Sequence, residues 1–390
     1  MKTVAVIFGG QSTEHDVSVV TAILSIIKPL RALGGYDIEP VYITKDGQWF
    51  WDKKLADIEL FRTGQIAEFI RSAAPTQLLF DKGLTLVKSS KFAGRKAYKT
   101  VDVVFPATHG TYGEDGSLMG LLRMANVPFV GCDMDASVLA MDKVLAKLIA
   151  EAHRIPTPRM KFFSRSDYAT SGSSIIADIE KLLAYPLFVK PSHLGSSIGI
   201  SRATTTAELR NAVEVALHYD TKVLVEEEVP NLVEVTLPVM GNPGDTLRPA
   251  LLERPLTKAD DFFDFDTKYM NGGKGGKKGG GKSGAQGYSQ LPAELPKPLY
   301  DKAEALGLDV YRALGCQGIA RVDMLIDEKQ SKVYFNEVNP LPGSLYSHNW
   351  RAAGVSNVQL VENLIHLAEV AFKERTASTT SFSTNYLKQF

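Results

Sequence analysis

Four polar residues near the carboxyl end have the types and the spacing to hold a metal ion against phosphate. Arg321 and Asp323 are two positions apart in one apolar run, and Glu337 and Asn339 are two positions apart in the next. Because alternate residues of a strand share a face, two paired strands would direct these four side chains to one point. Mg²⁺ prefers oxygen ligands and keeps positions open for water and phosphate, so Asp323, Glu337 and Asn339 predict a metal site beside a nucleotide.

The element that must position these residues is a hairpin over residues 318–339, with a polar turn at Asp327–Lys332. A salt-bridged surface hairpin is the alternative, and the four residues alone favour neither interpretation. The segment that follows, residues 339–343, has two prolines and a glycine. Such a rigid turn can present backbone amides to a ligand, which favours the site.

The chain is long enough for two or three domains, and its composition favours no charged partner. It has 390 residues, with 44 Lys plus Arg and 44 Asp plus Glu. Neither nucleic acid nor a membrane is therefore expected as a partner. Cys132 and Cys316 lie in apolar surroundings and predict reduced thiols, and the amino terminus lacks a signal-peptide pattern. We expect a cytoplasmic protein.

Helix and strand signals alternate from the amino terminus, which predicts an α/β fold with parallel strands. The strand Thr3–Phe8 meets Gly9-Gly10 and then a helix, without the G-x-G-x-x-G pattern of a dinucleotide site. Glu14 in the first turn of that helix either complements the helix dipole or holds a substrate ammonium group. His109, after the predicted strand Asp102–Phe105, is either a ligand contact or a packing histidine.

The middle of the chain predicts a helix over Asp135–Arg154 that contains Lys143, and then a smaller sheet. In that sheet, Lys190 ends the strand Leu187–Lys190, and Gly195-Ser196-Ser197 lies before a predicted strand Ile198–Ser201. Such a loop can donate hydrogen bonds to a triphosphate, although most Gly-Ser turns only connect strands. Further strands are predicted at Pro128–Val130 and at Val223–Glu227.

A Gly/Lys-rich segment at residues 272–287 follows an aromatic stretch and cannot form a core. It contains the literal pattern G-x-x-x-x-G-K-S at Gly276–Ser283. A phosphate-binding loop needs a buried strand before it and a helix after it, and neither is present here. We interpret the segment as a basic lid over an anionic reaction centre, with a solvated spacer as the alternative.

Taken in order, these segments resemble the D-alanine–D-alanine ligase family of ATP-grasp enzymes over nearly the whole chain. Each motif is weak by itself, but their shared order is specific. The matching motifs are Gly9–Ser18, His109-Gly110, Gly113–Gly116, Met141–Lys143, Val189–Ser192, Gly195–Gly199, Lys268-Tyr269, Arg321–Asp323 and Glu337–Asn339.

The resemblance implies a three-domain ATP-grasp fold with a Rossmann-like N-terminal domain and ATP held between two antiparallel sheets. It implies a substrate-binding domain at residues 1–135, a central domain at 136–229 and a catalytic domain at 230–375. The catalytic domain would carry a lid at 262–291, and residues 376–390 are expected to form a disordered tail.

The resemblance also implies roles for individual residues. Glu14 would hold the first substrate's ammonium group, Ser196 and Tyr269 would position Glu14 and the lid, and Arg321 with the Gly343 amide would stabilise an oxyanion. Two Mg²⁺ or Mn²⁺ ions would bind Asp323, Glu337 and Asn339. The nucleotide would contact Lys143, Lys190, Ser197, Glu226, Glu227, Val229, Glu234, Phe262 and Lys268.

The implied reaction joins two D-alanine molecules for peptidoglycan precursor synthesis. ATP would convert the first carboxylate to an acyl phosphate, which the second amine attacks. The expected partners are ATP and D-alanine, with a homodimer as the assembly. The alternatives are a ligase that joins D-alanine to another amino acid or to D-lactate, and a non-catalytic nucleotide-binding module.

The chain departs from the family where the second substrate's carboxylate would bind. The family has a Ser-Leu pair after its Pro-Gly turn, and this chain has Ser347, His348 and Asn349 in that region. Either His348 or Asn349 replaces the serine, depending on the count from Gly343. These residues therefore remain candidate substrate contacts.

Overall fold

The structure is a computed structural model that describes residues 1–89, 96–256, 289–381 and 383–390. The predicted site residues Phe262, Lys268 and Tyr269 lie outside the described residues. So does the predicted lid 262–291, except for its last three residues.

The amino-terminal part has a parallel sheet in the order β3-β2-β1-β7, with β3 antiparallel at its edge. Every residue of β1 after Lys2 is buried, which fits a strand covered on both faces. A second sheet has the order β4-β5-β6. The strands are β1 (Lys2–Gly9), β2 (Tyr36–Ile43), β3 (Trp49–Trp51), β4 (Thr76–Phe80), β5 (Leu84–Ser89), β6 (Lys96–Val101) and β7 (Val103–Pro106). The helices are α1 (His15–Val20), continued by a π-helix (Thr21–Ile27) and α2 (Lys28–Leu33), then α3 (Ile58–Arg62), α4 (Ile66–Ser72) and α5 (Ser117–Met124).

The single helix predicted over Asp135–Arg154 is wrong, because two helices meet at Asp142. They are α6 (Met134–Met141) and α7 (Lys143–Ala152). Asp142 is extended, and its side chain accepts hydrogen bonds from the Val144 and Leu145 amides. An N-cap aspartate satisfies amides that a helix leaves unpaired, so Asp142 starts a new helix.

The central part has the sheet order β10-β9-β11-β8. The strand predicted at Ile198–Ser201 begins only at Ser201, because the residues before it form a turn. In place of the strand predicted at Pro128–Val130, the structure has a single isolated β-bridge between Val104 and Phe129. The elements are β8 (Met160–Ser164), α8 (Arg165–Leu182), β9 (Leu187–Pro191), β10 (Ser201–Ala203), α9 (Thr206–Tyr219) and β11 (Lys222–Glu227).

The carboxy-terminal part has an antiparallel sheet in the order β13-β12-β16-β17. The predicted hairpin is confirmed as β16 and β17, which are joined at Asp327–Lys332. The tail after α12 is exposed and includes a short 3-10 helix at Tyr386–Gln389. The elements are β12 (Leu232–Gly241), β13 (Arg248–Pro249), β14 (Arg254–Pro255), β15 (Ser289–Gln290), α10 (Lys297–Ala313), β16 (Gly318–Asp327), β17 (Lys332–Asn339), a 3-10 helix (Gly343–Tyr346), α11 (Ser347–Ala352) and α12 (Asn357–Ala377).

Each four-stranded sheet lies within one predicted domain span, but the hydrophobic cores cross these spans. Ala140 and Ala146, from α6 and α7, pack in one core with Val322 of β16. Phe8 of β1 shares another core with Trp350 and Leu364 near the carboxyl end. In the described residues no helix is long and apolar enough to cross a membrane.

Candidate active site

The β16–β17 hairpin brings its four polar residues together. Arg321 lies opposite Asn339 and Asp323 lies opposite Glu337 in the strand register. Arg321 donates two hydrogen bonds to Asp323, from Nε to Oδ1 at 2.7 Å and from Nη2 to Oδ2 at 2.5 Å. Asn339 donates from Nδ2 to the same Oδ2 at 3.1 Å. The shared face that the spacing predicted is therefore confirmed.

Cations on three sides keep this acidic group ionised. Burial would raise the pKa of Glu337, but the charges of Lys143 and Lys190 lower it to about 2. The ammonium of Lys143 lies 3.1 Å from Glu337 Oε2. Burial would lower the pKa of Arg321, yet Asp323 holds it well above its usual range. Arg321 also lies over the Tyr346 ring, 5.2 Å from its centroid.

The oxygen donors of the hairpin fit a divalent cation. Asp323 and Glu337 supply carboxylates from directly opposed positions, and Asn339 supplies an amide beside them. In the part of the chain that the structure describes, no three His, Cys, Asp or Glu side chains form a metal-binding group. A site here would thus depend on two carboxylates and one amide, a set that suits Mg²⁺ with water and phosphate as further ligands.

A buried ion cluster next to the hairpin connects three elements. Glu226 of β11 pairs with Lys190 of β9 and with Lys147 of α7, whose ammonium lies 3.0 Å from Oε2. Lys147 is 0% exposed and also donates to the Phe335 carbonyl at 3.3 Å. Burial would raise the pKa of Glu226, but the two lysines lower it to about 2.

The other predicted nucleotide contacts lie at the edges of the same sheets. Glu227 accepts hydrogen bonds from Arg159 at 3.2 Å and from the Ala184 amide at 2.9 Å. Val229 is buried, and Glu234 is half-buried on β12. Ser197 lies in the turn before β10 with a φ of 58°.

Glu14 meets the central part of the chain through Ser196. Ser196 Oγ donates to Glu14 Oε1 across 182 residues of sequence. Gly110 makes room for this pair, since a Cβ there would lie 2.5 Å from Ser12 Oγ and 3.3 Å from Glu14 Oε2. The structure thus brings the loop 195–197 to the amino-terminal end of α1.

A buried network ties the loop after β7 to the turn at residues 340–344. His109 Nε2 lies 3.0 Å from Thr21 Oγ1, and Thr21 Oγ1 accepts the Ser344 amide at 2.9 Å. Glu114 accepts the Gly110 amide at 2.7 Å. Burial and then the charge of Glu14 raise the pKa of Glu114 to about 8, and burial lowers the pKa of His109.

The turn after Gly343 is a succession of left-handed residues. Ser344, Leu345 and Tyr346 have φ values of 52°, 53° and 51°. Such conformations are costly for residues other than glycine and persist where the surroundings impose them. The Tyr346 hydroxyl lies 3.2 Å from Thr236 Oγ1, which connects this turn to β12.

The three candidate substrate contacts after this turn differ in exposure. His348 keeps 22% of its side chain exposed and bonds Glu253 at 2.8 Å. Ser347 Oγ lies 3.5 Å from Arg351 Nη1. Asn349 is 0% exposed and exchanges two hydrogen bonds of 2.9 Å with the backbone of Leu251. Asn349 therefore lies in the protein interior, where its Nδ2 also donates to Glu253 Oε2 at 3.2 Å, the oxygen that His348 bonds.

Sequence reasoning missed several residues of this site. Lys147 could have been found, because it lies one helical turn after Lys143 on the same face. Glu114 could also have been found, because it lies in the motif Gly113–Gly116. Thr21 and Tyr346 carried no local signal, since each acts through a partner that is far away in the sequence.

Two family models match this chain. Residues 149–366 match the model described as D-ala D-ala ligase C-terminus, and residues 3–132 match the one described as D-ala D-ala ligase N-terminus. The D-alanine–D-alanine ligase of Acetivibrio thermocellus is 36% identical over 378 residues, covering 94% of this chain and 96% of that protein. The ligase of the same name from Clostridium acetobutylicum is 37% identical over 371 residues, covering 94% and 98%.

Solved structures agree with these sequence matches. The D-alanine-D-alanine ligase from Coxiella burnetii has a TM-score of 0.76 and 27% identity, covering 97% of this chain and 98% of that one. VanG D-Ala:D-Ser ligase from Enterococcus faecalis has a TM-score of 0.74 and 30% identity, covering 94% and 99%. The motifs, the site and these comparisons lead to one conclusion: the chain belongs to the D-alanine–D-alanine ligase family and has the ATP-grasp fold.

Proposed function

We propose that this enzyme joins two D-alanine molecules at the expense of ATP, with Mg²⁺ or Mn²⁺ as the metal, to supply a peptidoglycan precursor. The observation that carries the proposal is the convergence of three parts of the chain on one site. Glu14 and Ser196 meet at one end, and Lys143 meets Glu337 beside Arg321 at the other. A module that only bound nucleotide would need neither an oxyanion donor nor a site for an ammonium group.

In the first step, Glu14 holds the ammonium group of one D-alanine so that its carboxylate faces the γ-phosphate of ATP. A carboxylate reacts poorly with amines, and phosphoryl transfer converts it to an acyl phosphate. Lys143 and Lys190 offset the charge of the phosphates. A divalent ion held by Asp323, Glu337 and Asn339 would add Lewis-acid stabilisation to this transfer.

In the second step, the amine of another D-alanine attacks the acyl phosphate. Arg321 and the Gly343 amide donate hydrogen bonds to the oxyanion that develops, and phosphate leaves. Acyl phosphates hydrolyse readily, so water has to be excluded. We assign that task to the lid at 262–291, whose residues Phe262, Lys268 and Tyr269 lie outside the described residues.

A second candidate is ligation of D-alanine to a different acceptor. The largely buried His348–Glu253 pair lies in the region where the family places a Ser-Leu pair, and a structural neighbour is a D-Ala:D-Ser ligase. We favour D-alanine over D-serine and D-lactate as the acceptor, because the relatives from Acetivibrio thermocellus and Clostridium acetobutylicum, at 36% and 37% identity, are named D-alanine–D-alanine ligases.

One assay separates these proposals. Phosphate release from ATP is measured with D-alanine alone and with D-alanine plus D-serine, D-lactate or L-alanine, and each product is identified by mass. Release with D-alanine alone, abolished by EDTA and restored by Mg²⁺, is the expected result. Release only with another acceptor would support the second candidate, and no release in any mixture would contradict both.

We also expect a homodimer of the full chain, which sedimentation velocity would test. A single species with the mass of one chain would contradict this expectation. Whether the protein assembles does not alter the assignment of the site residues, because each of the contacts described above lies within one chain.

A further inference from the structure

His193 lies between two carboxylates at the base of the loop that reaches Glu14. Its Nε2 is 3.2 Å from Asp142 Oδ2, and its Nδ1 is 3.0 Å from both oxygens of Asp220. Asp142 belongs to the start of α7, and Asp220 follows the end of α9. A ring that donates from both nitrogens therefore joins two elements, and only the doubly protonated ring can do so.

The backbone on either side of His193 is held by the same two elements. The Ser192 carbonyl accepts the Lys143 amide at 3.0 Å, and Ser192 Oγ donates to Asp142 Oδ1 at 2.6 Å. Asp220 accepts the His193 amide at 2.8 Å, and the Leu194 carbonyl accepts the Lys143 ammonium at 2.7 Å. The segment 192–194 is thus fixed immediately before Gly195.

The geometry of the following loop, residues 195–197, depends on the segment 192–194. Ser196 and Ser197 have φ values of 53° and 58°, which is left-handed backbone that neither residue prefers. In this conformation of the loop, Ser196 Oγ donates a hydrogen bond to Glu14 Oε1. Such strained backbone persists only where neighbouring contacts hold it in place. Here the hydrogen bonds of residues 192–194 are those contacts.

We propose that His193 is a positioning residue that, in its doubly protonated form, clamps Asp142 to Asp220 and thereby holds Ser196 against Glu14. The inference deepens the proposed function, since Glu14 is there assigned to the ammonium group of the first substrate. His193 itself contacts neither substrate nor nucleotide in this assignment.

The charges around the ring favour this protonated form. Hydrogen bonds to Asp142 and Asp220 raise the pKa of His193 to about 9, against an opposing effect of burial. Burial would raise the pKa of Asp220, but His193 lowers it to about 2. Further titratable groups near the ring are Tyr219 of α9 and Asp115, which line a cavity of about 260 Å³ with His193, Lys222 of β11, which binds Asp142, and Lys143 of α7, which binds the neighbouring Leu194 carbonyl.

The sign of the pH effect follows from the raised pKa. Because the folded chain binds this proton more tightly than the unfolded chain, the clamp is complete below about pH 6.5 and is lost as the pH rises through about 9. Lys222 also binds Asp142, at 2.5 Å. Asp142 therefore keeps a cationic partner when His193 loses its charge, and we expect the contact of His193 with Asp220 to weaken more than its contact with Asp142. The cavity leaves 42% of the His193 side chain exposed, which lets the proton exchange with solvent.

The test compares the full-length wild-type enzyme with His193→Gln, and with His366→Asn as a control on an exposed face of α12. The KM for the first D-alanine and kcat are measured at a series of pH values. His193→Gln should raise that KM about tenfold near neutral pH, the scale of one hydrogen bond to a charged group, with a smaller change in kcat. The ratio of variant to wild-type KM should fall towards one above about pH 9.

The protonation state of the His193 ring can be measured directly, and this tests the inference without an activity assay. In ¹⁵N-histidine-labelled wild-type protein, with His193 assigned by the variant, both ring nitrogens should carry protons at pH 8. A neutral ring at that pH, or a KM ratio that stays constant across the series, would overturn the inference. If the wild-type enzyme released no phosphate with D-alanine, the proposed function would fail, and the ring measurement would still decide whether the clamp exists.

Discussion

Arg321 illustrates how one residue serves both the structure and the proposed chemistry. Its guanidinium holds Asp323 through two hydrogen bonds and faces the Tyr346 ring. A lysine at this position keeps the charge but lacks the planar fork that makes two parallel bonds. Replacing Arg321 with lysine therefore tests whether the planar geometry of the guanidinium, and not its charge alone, supports the reaction.

We expect Arg321→Lys to lower kcat by about 10²-fold, the scale measured for loss of one oxyanion donor. Phosphate release at saturating ATP and D-alanine measures the effect, and thermal unfolding confirms that the variant is folded. Arg312→Lys is the control, because Arg312 is 59% exposed and pairs with Asp309 on the surface. An unchanged kcat in Arg321→Lys would show that the charge alone, and not the planar fork of the guanidinium, supports the reaction.

Glu114 is a second residue with a testable charge state. Burial and the neighbouring Glu14 raise its pKa to about 8, so the folded chain keeps a proton that the unfolded chain loses near pH 4.5. Stability from this group is complete below that value and is lost as the pH rises through about 8. Glu114→Gln cannot ionise, so its Tm should decrease less than that of wild type between about pH 6 and about pH 9.

Thermal unfolding across this pH range checks the prediction. Glu328→Gln, at an exposed position after β16, controls for the loss of one carboxylate. Parallel Tm curves for Glu114→Gln and wild type would show that Glu114 is already ionised in the folded protein.

Among the elements, α7 contacts both the central sheet and the carboxy-terminal sheet. Lys147 on this helix pairs with Glu226 of β11 and donates to the Phe335 carbonyl of β17. Its position is fully buried, where a charge is tolerated only with a close partner. The helix is therefore fixed to both sheets by one ammonium group.

We expect Lys147→Met to lower the free energy of unfolding by about 3 kcal/mol, because it leaves Glu226 with Lys190 as its remaining partner in the buried cluster. Urea unfolding measures this change. Lys181→Met, at an exposed position in the last turn of α8, should change stability by less than about 0.5 kcal/mol. Equal stability of Lys147→Met and wild type would show that packing of α7 alone fixes the helix.

Across the whole molecule, Gly131 and Gly318 form a close backbone contact between the amino-terminal and carboxy-terminal parts. A Cβ on Gly318 would lie 3.1 Å from the Gly131 amide nitrogen and 3.2 Å from its Cα. Gly318 also has a φ of 66°, a region that strains other residues. Two effects thus require glycine at the start of β16.

A matched control separates these effects. Gly244 has a φ of 88° with nothing near a Cβ, so Gly244→Ala should cost about 1 kcal/mol from backbone strain alone. Gly318→Ala must also displace the Gly131 backbone, and we expect a further loss of about 1–3 kcal/mol. Chemical denaturation of both variants gives the difference, and equal losses would show that the contact can relax.

The sequence by itself determined the features that follow a short period or a fixed motif. Arg321 with Asp323 and Glu337 with Asn339 share a face because side chains alternate along a strand, whatever the strand packs against. The ordered motifs predicted the family, and the comparisons confirmed it. The break at Asp142 was missed because the helical pattern of apolar residues continues on both sides of this N-cap.

Only the tertiary structure decided which distant groups meet. Ser196 reaches Glu14 across 182 residues, and Lys147 reaches the Phe335 carbonyl across 188. Asn349 could be placed in the interior only once its bonds to Leu251 were known. Hydrogen bonds and ion pairs depend on distances of a few ångströms between separate elements, and these distances are set by the packing of several cores together and not by any local pattern.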